Sequence, residues 1–176
     1  MGIAERKTRE RQQRALQIMD AAKRVFSAKG FSGATMEEIA QAAELSPATL
    51  YLYFKNKNEL YASLNLRMLT FLRERLGKLA QDRSLDCRQK VRALSGALYD
   101  VFLFDPLILF NVFHMQSSEA LGALSPPMVE KINGLAAQAL RAMGAIFQEG
   151  MDQGVFRPGH PIALADMVWA VFSGLV

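Results

Sequence analysis

The chain has 176 residues, of which 51% are apolar and 22% charged, with a net charge of +4. That length and apolar content suit a sizeable core in one or two domains. Its single cysteine, Cys87, excludes an internal disulfide framework and suits a reducing cytoplasm. No secretory or membrane-spanning segment is expected. The start of the chain is studded with charge, and the most apolar run, Val101 to Phe113, is interrupted by Asp105, Pro106 and Asn111. The positive excess is concentrated: residues 1–57 hold 10 basic and 6 acidic side chains, whereas residues 58–176 hold 11 of each. A basic first third on a neutral remainder is the footprint of a module that meets phosphate, because counterion release supplies much of such affinity. A solvated basic arm would give the same count.

From Met1 to about Arg11 the chain is charged and lacks an apolar period, so this arm is expected to be mobile until a partner orders it. Arg6, Lys7, Arg9, Arg11 and Arg14 are placed to reach phosphates or a minor groove, although an ordinary frayed terminus fits equally well. A helix follows, with Ala15, Ile18, Met19, Ala22, Val25 and Phe26 on one stripe. Gly30 stops it, and Phe31 is positioned for the hydrophobic contact of a C-terminal cap.

The stretch from Thr35 to Lys57 carries three helix starts. Thr35 and Glu38 form a capping box. Ser46 followed by Pro47 repeats the signal, a capping hydroxyl before the residue whose missing N–H costs nothing at the first helical position. Asn56 with Glu59 is the third. The helices between these caps are too short to be stable alone, so tertiary packing must hold them. Met36, Ile39, Ala40 and Ala43 share one face, and Leu45, Leu50 and Phe54 can close over them. Ser46, Pro47, Ala48, Thr49, Tyr51 and Tyr53 then point away from that miniature core. The pattern predicts a helix-turn-helix whose second helix is free to enter a major groove; an ordinary αα-hairpin has the same pattern.

From Lys57 the helical signal continues through Leu60, Leu64, Met68, Phe71, Leu72 and Leu76 to about Leu79, a helix of roughly 35 Å at about 1.5 Å per residue. Lys57 in its first turn opposes the helix dipole. A phosphate bound at that N-terminus would resolve the conflict, which marks Lys57 as a candidate backbone contact. Residues 81–86 read as a polar connection. A further helix to about Phe102 carries Val91, Leu94, Leu98 and Val101, and Asp105 with Pro106 opens another bearing Leu107, Phe110, Phe113 and His114. Pro126 and Pro127 begin a long helix through Ile132, Leu135, Ala139, Met143, Ile146 and Phe147 to about Gln153. Pro161 begins the last, apolar to Val176.

The residues Thr35, Ile39-Ala40 and the run Ser46-x-x-Thr49-Leu50-Tyr51-x-Tyr53-Phe54-Lys55-Asn56-Lys57-x-Glu59-Leu60 resemble the DNA-binding signature of the TetR family of repressors. The likeness covers about Gln12 to Leu64. It implies an all-α protein: a three-helix helix-turn-helix DNA-binding domain over residues 1–57, and a helical-bundle ligand-binding and dimerisation domain over residues 58–176. By the same resemblance Pro47, Ala48 and Tyr51 touch base edges. Thr35, Thr49, Tyr53 and Lys57 hold the phosphate backbone, with Ser46 and Lys55 in the same motif, and Glu37 lies near the groove, where an acid can only accept from cytosine. Two positions depart from the family pattern. Glu44 and Ala48 stand where Gly is usual or frequent; a positive φ at Glu44 would strain it by roughly 1 kcal/mol, and Ala48 bears on which bases are read.

The family resemblance implies a homodimer on double-stranded DNA with a palindromic operator, and a small, largely apolar inducer. Leu164, Met167, Val168, Val171 and Phe172 would otherwise form a large exposed apolar patch. The last helix ends on Ser-Gly-Leu-Val without a cap, which reads as a chain cut short. Phe110, Phe113, His114, Phe147 and Trp169 are candidate ligand contacts, with core packing the competing reading for each. Neither His114 nor His160 has an acid or cysteine at metal spacing, and no nucleophile elbow or phosphate loop is present. No cofactor, metal or enzymatic activity is therefore expected. Control by a protein partner, constitutive binding, or a helical scaffold without regulatory DNA binding remain the alternatives.

Overall fold

In a computed structural model, residues 2–106, 122 and 124–175 are described. They are helical, without strands among the described residues. The elements are α1 (Ile3–Gly33), α2 (Met36–Ala42), α3 (Pro47–Tyr51), α4 (Lys57–Gln81), α5 (Cys87–Phe104), α6 (Pro126–Asp152) and α7 (Pro161–Leu175). None of these is long and apolar enough to cross a membrane. The chain divides into two compact units, Met1–Leu64 and Asn65–Val176.

The first unit keeps the first two turns of α4, which a boundary at Lys57 would assign elsewhere. The reason is packing. Leu60, Tyr61, Ala62 and Leu64 are buried, and the Tyr61 ring meets Phe26 and Phe31 edge-on at 5.1 and 4.9 Å. Ile18, Ala21, Ala22 and Phe26 of α1 complete that core with Ile39, Ala40 and Leu50, which are fully buried. Each large aliphatic or aromatic side chain so buried contributes about 1.5–3 kcal/mol. That is enough to hold α2 and α3, which have only 7 and 5 residues. Gly30, at φ 70° and ψ 172°, interrupts α1. The break needs the positive φ that glycine takes without strain, and it lets Phe31 turn back to stack on Phe26 at 5.8 Å.

The N-terminal arm differs from expectation, for α1 begins at Ile3. The segment is made of strong helix formers. Glu5 caps it by accepting from the Gly2 amide at 2.9 Å, and Arg6 pairs with Glu10 one turn on at 3.0 Å. Absence of an apolar stripe therefore did not mean absence of helix; the stripe reports packing, and this part of α1 is exposed.

In the second unit α5 packs on α6, and α6 on α7. The apolar faces of α5 (Leu94, Leu98, Val101) and α6 (Ile132, Ala139, Met143, Ile146, Phe147) are buried. Phe71 of α4 stacks on Phe104 of α5 at 4.3 Å. Lys90, only 4% exposed, donates to Glu149 Oε2 at 2.7 Å and to the Ala80 carbonyl at 3.1 Å. This is a charged clamp that removal of either partner would leave uncompensated. Gly150 admits the Phe156 ring so closely that a Cβ there would collide with it. Asp105 ends α5 as its C-cap; the helix expected to follow it, with Leu107, Phe110, Phe113 and His114, lies outside the described residues.

Candidate nucleic-acid interface and ligand cavity

The three sequence caps close with hydrogen bonds. Thr35 Oγ1 accepts from the Glu38 amide at 3.2 Å while Glu38 Oε2 accepts from the Thr35 amide at 3.1 Å. Ser46 Oγ accepts from the Thr49 amide at 3.2 Å, and Asn56 Oδ1 from the Glu59 amide at 2.8 Å. Glu38 is further held by Lys29, 2.5 Å away; with the Thr35 amide, that pairing keeps its carboxyl below the usual carboxylate range.

The turn between α2 and α3 is a Schellman turn. The Glu44 amide donates to Gln41 O at 3.0 Å and the Leu45 amide to Ala40 O at 2.9 Å. Its left-handed position is Glu44, at φ 56°, the one non-glycine residue with positive φ among the described residues. The same turn ends α6, where Gly154 donates to Met151 O at 3.0 Å and Val155 to Gly150 O at 2.9 Å, and there the left-handed residue is a glycine, at φ 69°.

The turn leaves α3 with one face in the core and one in solvent. Leu50 is fully buried and Phe54 6% exposed, while Tyr51 is 46% exposed. Ser46, Pro47, Ala48 and Lys55 are also exposed, and Thr35 is exposed at the start of α2. Thr49 is half-buried, its hydroxyl 2.9 Å from that of Ser46. Tyr53 is half-buried under the Arg11 guanidinium, 5.4 Å from its ring centre. Leu52, which the sequence pattern did not single out, is 70% exposed beside Tyr51. Its signal was available: an apolar residue between the two tyrosines, off the period of Leu50 and Phe54.

The Lys57 side chain does something other than expected. Its ammonium, half-buried, donates to the carbonyls of Phe31 at 2.7 Å, Ala34 at 2.8 Å and Ser32 at 3.4 Å, and lies 4.5 Å from the Phe31 ring centre. The conflict with its own helix dipole is thus eased by the carbonyl end of α1, to which the ammonium donates. Two other basic residues act alike. Arg24 donates to Ala42 O at the end of α2 at 3.2 Å, and Arg11 to Leu52 O just past α3 at 3.1 Å. The carbonyl ends of α1, α2 and α3 are therefore each closed by a cation from elsewhere in the first unit, the head, where the dipole is negative. Part of the basic surplus is structural.

The second unit contains a cavity of about 410 Å³ lined by α4, α6 and α7. Leu69, Leu72, Leu76, Ile132, Leu140, Met143 and Trp169 make it apolar, and Asn65, Asn133 and Asp166 are its polar members. Trp169, a candidate ligand contact, lines this cavity. Phe147 is buried in the core and is not on this wall. Phe110, Phe113 and His114 lie outside the described residues. Asn65 was missed, although a polar residue in register with Leu69, Leu72 and Leu76 breaks an apolar stripe and could have been noticed.

An exposed tyrosine-bearing helix, propped by a capped partner across a tight turn, is a helix-turn-helix arrangement. Residues 18–64 match the family described as bacterial regulatory proteins, tetR family. The chain is 26% identical over 158 residues to the fatty acid metabolism regulator protein of Bacillus subtilis, covering 89% of this chain and 78% of that one. Its fold superposes on the TetR family regulator PfmR from Thermus thermophilus with a TM-score of 0.77 at 24% identity, covering 90% and 83% of the two chains. It superposes on FadR from Bacillus subtilis, solved with stearoyl-CoA, with a TM-score of 0.71 at 22% identity, over 90% and 83%. Residues 18–64 thus match the DNA-binding module of the tetR family, and the fold of the chain is like that of solved TetR-family regulators.

Proposed function

We propose that the protein is a repressor that binds a palindromic operator as a homodimer and releases it when a small, largely apolar inducer enters the second unit. The observation that carries the DNA-reading half is the split of α3, Leu50 inside and Tyr51 outside. On this reading Pro47, Ala48, Tyr51 and Leu52 meet base edges and methyl groups, and Thr35, Thr49 and Lys55 meet phosphates. The Thr35 oxygen accepts an amide, which leaves its hydroxyl hydrogen for a phosphate. Lys57 supports the head, and its contribution at the DNA is its backbone amide at the start of α4.

The dimer is supported by α7, where Met167 is 63% and Val171 60% exposed on an apolar helix. Such a face is stable in water when it meets its symmetric copy. The inducible half is supported by the apolar cavity and by stearoyl-CoA in the FadR relative. Because α4 begins in the head and continues into the cavity wall, a ligand that favours one conformation of α4 has a route to operator affinity. It lowers that affinity only by its differential binding to the two states.

The test is selection of DNA by the purified protein from a random pool, followed by sequencing and by measurement of stoichiometry on the selected site. The expected product is an inverted repeat occupied by a dimer. Recovery of no common sequence at physiological salt would overturn the operator reading. An inverted repeat held unchanged by every cavity ligand would favour control by a protein partner.

A further inference from the structure

On the reading that an inducer occupies the cavity of the second unit, we propose that its ligand is an apolar molecule ending in a hydrogen-bond donor that is cationic or neutral, an amine rather than a carboxylate or phosphate ester. Two independent observations point there. The first is charge: among the described residues that line the cavity, Asp166 is the one charged side chain, and it is exposed at the rim. No lysine, arginine or histidine joins it there. An anion would therefore meet like charge with no cation among the described lining residues to receive it, while an ammonium would meet a carboxylate.

The second observation is an unsatisfied acceptor. Asn65 is 3% exposed, and its Oδ1 is buried without a hydrogen-bond partner. Such an atom costs stability unless something donates to it. A carboxylate has no hydrogen to give, whereas an ammonium has three and a hydroxyl one. A water molecule would also satisfy Asn65, so the acceptor alone selects donors and the sign of Asp166 selects among them. Trp169 adds an aromatic surface on the same wall, which attracts a cation and is indifferent to an alkyl tail. The cavity size is in the range of sites for small organic ligands.

The experiment uses the full chain and three probes with one body and different ends: decylamine, decanol and decanoate, each below its micellar concentration. Binding is followed by the fluorescence of Trp169, the one tryptophan of the chain, and by calorimetry. The expected order is amine, then alcohol, then carboxylate, with the amine about tenfold tighter than the carboxylate and the gap narrowing as salt rises. Asp166→Asn should bring the amine and carboxylate close to parity. Asn65→Leu should weaken the amine and alcohol by about tenfold while raising the melting temperature of the unliganded protein, because an unsatisfied polar atom is replaced by a hydrocarbon of similar size.

Decanoate binding as tightly as decylamine, a gap that survives Asp166→Asn, or no binding of any probe would overturn the proposal. A fall in melting temperature for Asn65→Leu would overturn the role given to Asn65. Operator occupancy is read separately. Amine-selective binding that leaves the operator occupied supports this inference and overturns the inducer reading; release by decanoate alone does the reverse.

Discussion

In the head, Lys57, Arg24 and Arg11 each cross from one helix to the carbonyl end of another, and the caps of α2 and α3 close. In the second unit, Asn65 Oδ1 and Arg73 Nε are buried without a partner, the two such side-chain atoms found among the described residues. One region uses its polar atoms to lock short helices that could not stand alone. The other leaves an amide oxygen unanswered on the wall of an apolar cavity and a guanidinium nitrogen unanswered on α4. The contrast fits the proposal of a first unit that presents a fixed surface and a second unit that takes a ligand.

The contrast can be broken by mutation. The largest effect is expected for Lys57→Met, which strips the carbonyl end of α1 of a half-buried cation and should cost the head about 2–3 kcal/mol in chemical denaturation. The salt dependence of DNA binding by the protein that remains folded should hardly change, whereas Lys55→Ala should lower the slope by about one. A Lys57 variant of normal stability with a slope reduced by one would restore the phosphate role for its ammonium. Next in size and opposite in sign, Asn65→Leu should stabilise the protein by about 1–2 kcal/mol. If both substitutions destabilise alike, the two regions are not built differently.

A smaller effect sharpens the comparison of the two Schellman turns. Glu44→Gly puts in the α2 turn the residue that already ends α6, and should gain about 1 kcal/mol by relieving the left-handed strain. Thermal unfolding of the variant measures it, and a loss would mean that the Glu44 side chain itself contributes. The smallest effect belongs to Glu38, exposed enough that solvent screens it. Its carboxyl sits lower than usual because Lys29 and the Thr35 amide bind the charged form. The contribution is therefore present above the ordinary carboxylate range and lost as pH falls through the lowered value. Glu38→Gln should flatten the acid limb of the stability profile and leave neutral pH little changed.

Much of the head was legible because its signals are local. A capping box, a Ser-Pro start and a left-handed turn are each decided within a few residues, so Thr35, Ser46, Asn56 and the strain at Glu44 could be read before any fold was known. The Met1 to Arg11 arm was misread for the converse reason. Its helix rests on propensity and i,i+4 charge, which leave no apolar stripe. The partners of the Lys57 ammonium could not be read from the sequence because they are 23 to 26 residues away, and a first-turn lysine looks the same whether it faces phosphate or another helix.

Local chemistry, then, settled where helices begin and end, which faces are apolar, and the run from Ser46 to Leu60 that marks the family, since each of these depends on neighbours along the chain. Tertiary structure alone decided which cations are spent on carbonyls, that Tyr51 stands out while Tyr53 lies beneath Arg11, and that Asn65, Asp166 and Trp169 meet around one space. Those facts depend on residues far apart in sequence being brought within a few ångströms, and no periodicity records that distance.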